Sequence, residues 1–163
     1  MTNKKNFKNI DKAEFVDFGN AREEEQARVM KESENANVCP FCQEHLDKYH
    51  KDPILKEGKY WIVTPNSWPY KHTKHQFIII YKEHVTNLAG VDPEAGKELI
   101  EFVQWLEKEY EIPGGGWAMR FGDTDYSAGT VNHLHAHFIQ PDIHASTYAE
   151  KPVKFKIGKY KKK

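Results

Sequence analysis

Three alternating histidines, His133-Leu134-His135-Ala136-His137, form the most chemically loaded stretch of this 163-residue chain; its only two cysteines lie in Cys39-Pro40-Phe41-Cys42. Along a strand, side chains alternate between faces, so His133, His135 and His137 project together while Leu134, Ala136 and Phe138 project to the other side. Same-face neighbours lie roughly 6.5–7 Å apart, a spacing that lets one imidazole attack a phosphorus atom while the next contacts the phosphate oxygens. A neutral imidazole is a competent nucleophile near pH 7 when its second ring nitrogen is held, typically by a backbone carbonyl that fixes tautomer and aim. A single histidine on an edge strand is ordinarily a solvated surface residue. Three opposite an apolar face share a task, and metal binding and phosphate chemistry are the two candidates.

A C-x-x-C pair without further cysteines points to metal or redox chemistry rather than a disulfide framework, and no thioredoxin-like βαβ pattern surrounds it. Histidines must complete a zinc tetrahedron. His45 and His50 offer a local completion, but the two-residue gap after Cys42 is short beside the roughly 12 residues of a zinc finger. Just before the histidine triplet, the small-residue loop Ser127-Ala128-Gly129-Thr130 is placed to bring N–H groups and hydroxyls to developing charge. Trp61, Trp68 and Tyr70 are read as core or turn packing ahead of base stacking.

The elements that position these groups follow from patterning. Tyr60, Ile62 and the run Phe77-Ile78-Ile79-Ile80-Tyr81 read as two strands around the turn Pro65-Asn66-Ser67-Trp68-Pro69. Asp92-Pro93 opens a helix in which Leu99, Val103, Leu106 and Tyr110 recur at helical spacing until Pro113-Gly114-Gly115-Gly116 ends it. Residues 117–121 and 133–139 read as third and fourth strands. Strands joined by short loops favour antiparallel pairing, so the expected class is α+β, with a helix on one sheet face. Asn20 followed by Glu23 resembles a capping box opening a charged helix with little apolar surface.

Three regions are therefore expected: a polar, partly helical extension over 1–36, a catalytic domain over 37–145 and a basic tail over 146–163. After Glu150 the tail holds seven lysines and no acid; such an end is ordinarily solvated, with nucleic-acid binding as the functional alternative. Lys+Arg and Asp+Glu both number 24, so no overall field drives the chain to nucleic acid or membrane. No stretch approaches a bilayer span and no apolar signal region follows the first residues, which leads to the expectation of a cytoplasmic protein without a membrane partner.

The H-x-H-x-H segment resembles the signature of the histidine triad (HIT) superfamily of nucleotide hydrolases and transferases. Cys39-Pro40-Phe41-Cys42, Asn66-x-x-Pro69, His75 before the apolar strand, Lys82-Glu83-His84-Val85 after it, and the loop before the triplet stand in that family's order, over about residues 38–141. The resemblance implies a five-stranded antiparallel sheet with two helices, commonly dimerised. It implies His135 as the residue forming a covalent nucleotidyl intermediate, with His137 beside it. By likeness to zinc-bearing members, including galactose-1-phosphate uridylyltransferase, it implies a structural Zn2+ held by Cys39, Cys42, His84 and His133. Substrate contacts are expected from Asn66, His75, Ser127, Gly129, Thr130 and Gln140, and the substrate is expected to be a dinucleoside polyphosphate or nucleotide conjugate. His137 stands where uridylyltransferases and dinucleoside phosphorylases carry Gln, which tilts toward hydrolysis, and Gly129 stands where Gln is usual before Ser/Thr. The competing function is a non-enzymatic zinc-containing nucleotide- or RNA-binding module; a redox protein is a distant third.

Overall fold

The computed structural model describes residues 14–159. Five strands, β1 (Lys56–Glu57), β2 (Trp61–Pro65), β3 (Thr73–Tyr81), β4 (Gly116–Arg120) and β5 (His135–Pro141), form one antiparallel sheet in the order β1-β2-β3-β5-β4. Helices α1 (Glu24–Asn35), α2 (Gln43–Tyr49), α3 (Ala95–Glu109) and the short α4 (Thr124–Ser127) complete the α+β fold. The α+β class and the five-stranded antiparallel sheet expected from the sequence are the ones observed. Among the described residues no helix is long and apolar enough to cross a membrane.

One sheet face carries Trp61, Val63, Phe77, Ile79, Tyr81, Leu134 and Ala136, packed against Ala95, Leu99, Phe102 and Leu106 of α3. Burying each such Leu, Ile or Phe side chain contributes roughly 1.5–3 kcal/mol. The docking of α3 is also polar: the Trp61 indole N–H donates to the Ala95 carbonyl at 2.8 Å, and the Glu98 carboxylate accepts from the N–H groups of Lys59, Tyr60 and Trp61 at 2.7–2.9 Å. A Cβ at Gly58 would meet the Glu98 carboxylate, so a side chain there would have to displace the group that accepts these three bonds. The helix itself begins at Ala95, later than Asp92-Pro93 suggested; Asp92 caps the preceding turn, accepting from Glu94 N–H.

The other face is also covered. Ile62, Ile78, Ile80 and Val131 meet Val16, Met30, Phe41 and Leu46, so residues 15–46 form a second layer, with Val16 bridged to Val131. The segment 15–36 thus packs on the same sheet as the strands that follow it. Although α1 is charged, one stripe suffices: Met30 is in the core, and buried Gln26 and Ser33 satisfy their polar groups on Arg22 N–H and the Met30 carbonyl. The Asn20–Glu23 capping box does not form. Glu23 is the N-cap without a side-chain bond, and Asn20 instead donates to the Gly129 carbonyl.

The tail likewise returns to the body. Residues 151–159 have no regular structure, but Lys159 pairs with buried Asp17 at 2.9 Å, and Phe155 lies against Tyr70 and His137. Phe155 and Lys159 are half-buried through these contacts, while Lys151, Pro152, Lys154, Lys156 and Ile157 stay exposed, so the stretch is anchored at two points and otherwise solvated as expected. Residues 1–13 and 160–163 lie outside the described residues.

Candidate active site and metal centre

Four donors converge at the edge of the histidine face: Cys39 and Cys42 at the start of α2, His84 just beyond β3, and His133 two residues ahead of β5. Their ligand atoms all lie within 4.8 Å of one another. Zinc–sulfur bonds of about 2.3 Å and zinc–nitrogen bonds of about 2.0 Å imply tetrahedral S···N edges of about 3.5 Å and an N···N edge of about 3.3 Å. The distances found are Cys39 Sγ–His133 Nδ1 3.3 Å, Cys42 Sγ–His84 Nδ1 3.4 Å, Cys42 Sγ–His133 Nδ1 3.9 Å and His84 Nδ1–His133 Nδ1 3.2 Å. The donor set thus fits a tetrahedral Zn2+ in both chemistry and spacing.

His133 Nε2–H donates to the Tyr81 carbonyl at 2.6 Å, which leaves Nδ1 as the ligand nitrogen. Burial pushes the Cys39 thiol up to about 12, so a thiolate there needs the charge of a cation beside it. The rival completion through His45 and His50 is absent. His50 is turned to Thr64 Oγ1 at 2.6 Å and Ser67 Oγ at 3.3 Å, and His45 stands outside the cluster.

β5 starts at His135, so the strand is shorter at its N-terminal end than the sequence suggested, and His133 enters the site from the preceding segment. His135 and His137 lie opposite Ile80 and Ile78 on β3 and opposite Arg120 and Ala118 on β4, on the face away from α3. Their ring centroids are 5.0 Å apart. His135 Nδ1–H donates to the His133 carbonyl at 2.6 Å. This is the backbone carbonyl the chemistry calls for, and it leaves Nε2 free. The same residue therefore offers its ring to the metal cluster and its carbonyl to His135.

The tautomer of His137 is fixed by a residue the sequence reading missed. Tyr70 N–H donates to Gln76 Oε1 at 2.6 Å, which orients the amide so that its Nε2 donates to His137 Nδ1 at 3.1 Å. His137 consequently carries its proton on Nε2. Burial holds His135 down to about 4 and His137 well below the usual imidazole value, with Arg120 adding to both and His135 adding to His137. Both rings are neutral at pH 7.

These two histidines line a cavity of about 270 Å³, whose walls include Asn66, Trp68, Tyr70, Gly129 and Thr130. Asn66 is thus at the site, its Oδ1 accepting from Trp68 N–H. The loop before the triplet contributes differently from expectation. Ala128 adopts a left-handed conformation, φ 56°, costly for a residue with a Cβ, and turns the chain after α4. Ser127 Oγ is taken by Gly129 N–H, and the Thr130 hydroxyl donates to the Asn20 carbonyl, so both hydroxyls fasten the loop and the segment around Asn20. His75 and Gln140 are not at the cavity. They pair with each other in register and alternate with Phe77 and Phe138, which places them on the α3 face; His75 stacks on Phe77 and meets Tyr110.

Two arginines also escaped the sequence reading, which named only the tail lysines as a possible polyanion patch. Two of the chain's three arginines, Arg22 and Arg120, line the cavity together with Lys154 and Lys156, while no Asp or Glu does. Arg120 is buried beside His135, donates to the carbonyls of Ser127 and Lys156 and to Tyr70 Oη at 3.1 Å, and lies over the Phe155 ring at 3.8 Å. Arg22 lies over the Tyr70 ring at 4.1 Å. An arginine inside an apolar strand and a glutamine at the same parity as Ile78 were the available signals, since strand alternation alone puts both on the histidine face.

No family model matches the chain, and no curated protein does. Among solved structures it is similar to a hypothetical protein from Leishmania major, with 18% identity, TM-score 0.56, and 78% of this chain and 85% of that one covered. That likeness is one of fold. Others include a Zn-bound histidine triad family protein from Mycobacterium smegmatis (18% identity, TM-score 0.49, 71% and 81% covered) and a Plasmodium falciparum diadenosine triphosphate hydrolase (18% identity, TM-score 0.47, 55% and 61% covered). Histidine triad proteins recur among these structures.

Proposed function

We propose that this chain is a histidine triad hydrolase that transfers a nucleotidyl group through His135, acting on the α-phosphate of a dinucleoside polyphosphate or nucleotide conjugate. The observation that carries the reading is the bond from His135 Nδ1–H to the His133 carbonyl, which leaves Nε2 as an aimed, neutral nucleophile in a basic cavity. In the first step the Nε2 lone pair forms the N–P bond and the P–O bond to the leaving group breaks with its electron pair on oxygen, the leaving group departing as an anionic phosphate while neutral His137 keeps its Nε2 proton and hydrogen-bonds a phosphoryl oxygen. In the second step water attacks phosphorus, the N–P bond returns its pair to His135 Nε2, and the water proton leaves on the nucleotide phosphate and passes to solvent. Gln76 keeps His137 in the tautomer this cycle requires. Arg22, set over Tyr70, lends positive charge at the cavity wall.

Cys39, Cys42, His84 and His133 would hold a structural Zn2+, which supplies a fixed charge and a crosslink between the residue 39–42 segment and the entry to β5. A cytoplasmic location suits the reduced cysteine pair, and the resemblance implies a homodimer, which gel filtration tests.

The experiment is an acid quench of the protein with labelled diadenosine tetraphosphate. The expected product is a nucleotidyl adduct mapped to His135, with His135→Ala forming none and losing about 10⁴-fold in turnover. Equal turnover by the two proteins, or an adduct elsewhere, overturns the assignment. Binding without any turnover would instead favour the nucleotide- or RNA-binding module.

A further inference from the structure

The tail that the sequence suggested was a solvated end runs along the mouth of the cavity. Three contacts fix it there: the Arg120 guanidinium holds the Lys156 carbonyl and covers the Phe155 ring, Phe155 lies 5.5 Å from the His137 ring, and Lys159 pairs with Asp17. Between and beside these anchors, Lys154 and Lys156 line the same cavity as His135 and His137. The chain as a whole is neutral, yet this cavity gathers four cationic side chains and no carboxylate. Such a local excess is not needed to keep neutral imidazoles neutral, a task burial already performs, and like charges brought together repel unless an anion joins them.

We infer that residues 151–159 are a wall of the substrate site, and that Lys154 and Lys156 are specificity-determining residues that select substrates with further phosphate charge beyond the phosphorus attacked by His135. This rests on the nucleotidyl-transfer reading above. Arg120 acts as a positioning residue: with three hydrogen bonds committed to Ser127, Lys156 and Tyr70, its guanidinium clamps the tail to the loop. The lysines, exposed at the mouth, are left to meet an anionic leaving group as it departs.

The test compares two substrates on the full chain: diadenosine tetraphosphate, whose leaving group is a polyphosphate, and an AMP–amine conjugate, whose leaving amine carries no phosphate. For the double variant Lys154→Gln/Lys156→Gln the ratio of kcat/KM for the first substrate over the second is expected to fall roughly tenfold or more, chiefly through KM, and Lys154→Arg/Lys156→Arg is expected to restore it. The wild-type ratio should also fall with added salt more steeply than that of the Gln variant. An unchanged ratio in the Gln variant overturns the inference while leaving nucleotidyl transfer intact. Absence of turnover of both substrates by the wild-type protein overturns the nucleotidyl-transfer reading, and this inference with it.

Discussion

On the α3 face of the sheet, Phe77, Ile79, Tyr81, Leu134 and Ala136 meet Leu99, Phe102 and Leu106 with little chemistry left over. On the opposite face the same two strands present Gln76, Ile78 and Ile80 beside His135 and His137, and what covers them is a charged helix, a cysteine-bearing turn and the tail. The first face is a packed hydrocarbon layer whose removal costs stability alone. The second is equally buried at its floor, but there Gln76, His133, His135 and Arg120 are buried polar groups held by specific partners. Burial here does chemical work: it keeps both imidazoles neutral, while two carbonyls and one amide choose which nitrogen is free.

A paired substitution separates the faces most sharply. Leu106→Ala, at a fully buried position on α3, is expected to cost about 2–5 kcal/mol in urea unfolding while leaving turnover per folded molecule unchanged. Cys39→Ala is expected to abolish stoichiometric zinc and to lower both stability and kcat, because the carbonyl that holds His135 belongs to His133 of the same four-residue cluster. If kcat survives loss of the metal, the metal centre and the nucleophile are not coupled as described.

Gln76→Leu should have a smaller effect, confined to the histidine face. It fills similar space but withdraws the donor from His137 Nδ1, freeing the ring to take the other tautomer. A fall in kcat of roughly 10- to 100-fold with little change in KM is expected, and Gln76→Glu, which keeps the acceptor for Tyr70 N–H but not the donor, should not rescue it. A loss carried wholly by KM would place Gln76 in substrate binding instead.

The α3 face was the legible one. Helical spacing through Leu99 and Leu106 and the run from Phe77 to Tyr81 report apolar burial directly, and the histidine alternation gave the right partition of side chains at His135 and His137. His75 and Gln140, expected at the substrate, instead lie with α3, where counting in twos from Phe77 and Phe138 puts them. The covering layer was illegible for another reason. Met30 on α1 is buried against Ile78, and Phe155 and Lys159 in the tail are half-buried against Arg120 and Asp17; these partners lie 35 to 142 residues away, beyond the reach of any local pattern.

The smallest effect probes the histidine face through its remaining buried imidazole. The Thr64 hydroxyl donates to the Pro53 carbonyl and so must accept from His50 Nε2–H; the Ser67 hydroxyl donates to Asp52, leaving nothing to donate to His50 Nδ1. Burial lowers the pKa of His50, with Asp52 opposing, and burial lowers that of His137 further. Since an unfolded imidazole titrates near 6.5, the unfolded chain takes up protons first as pH falls. The stability contributed by these neutral rings is fully present above about 6.5 and is lost as pH falls toward the folded values, at up to about 1.4 kcal/mol per pH unit for each ring. His50→Gln removes one such ring while retaining an amide donor for Thr64. Its deficit relative to the wild type should therefore be largest at pH 7.5 and narrow by pH 5.5 in urea titrations on the metal-loaded protein; a deficit that stays constant or widens would mean that His50 is already charged in the folded state.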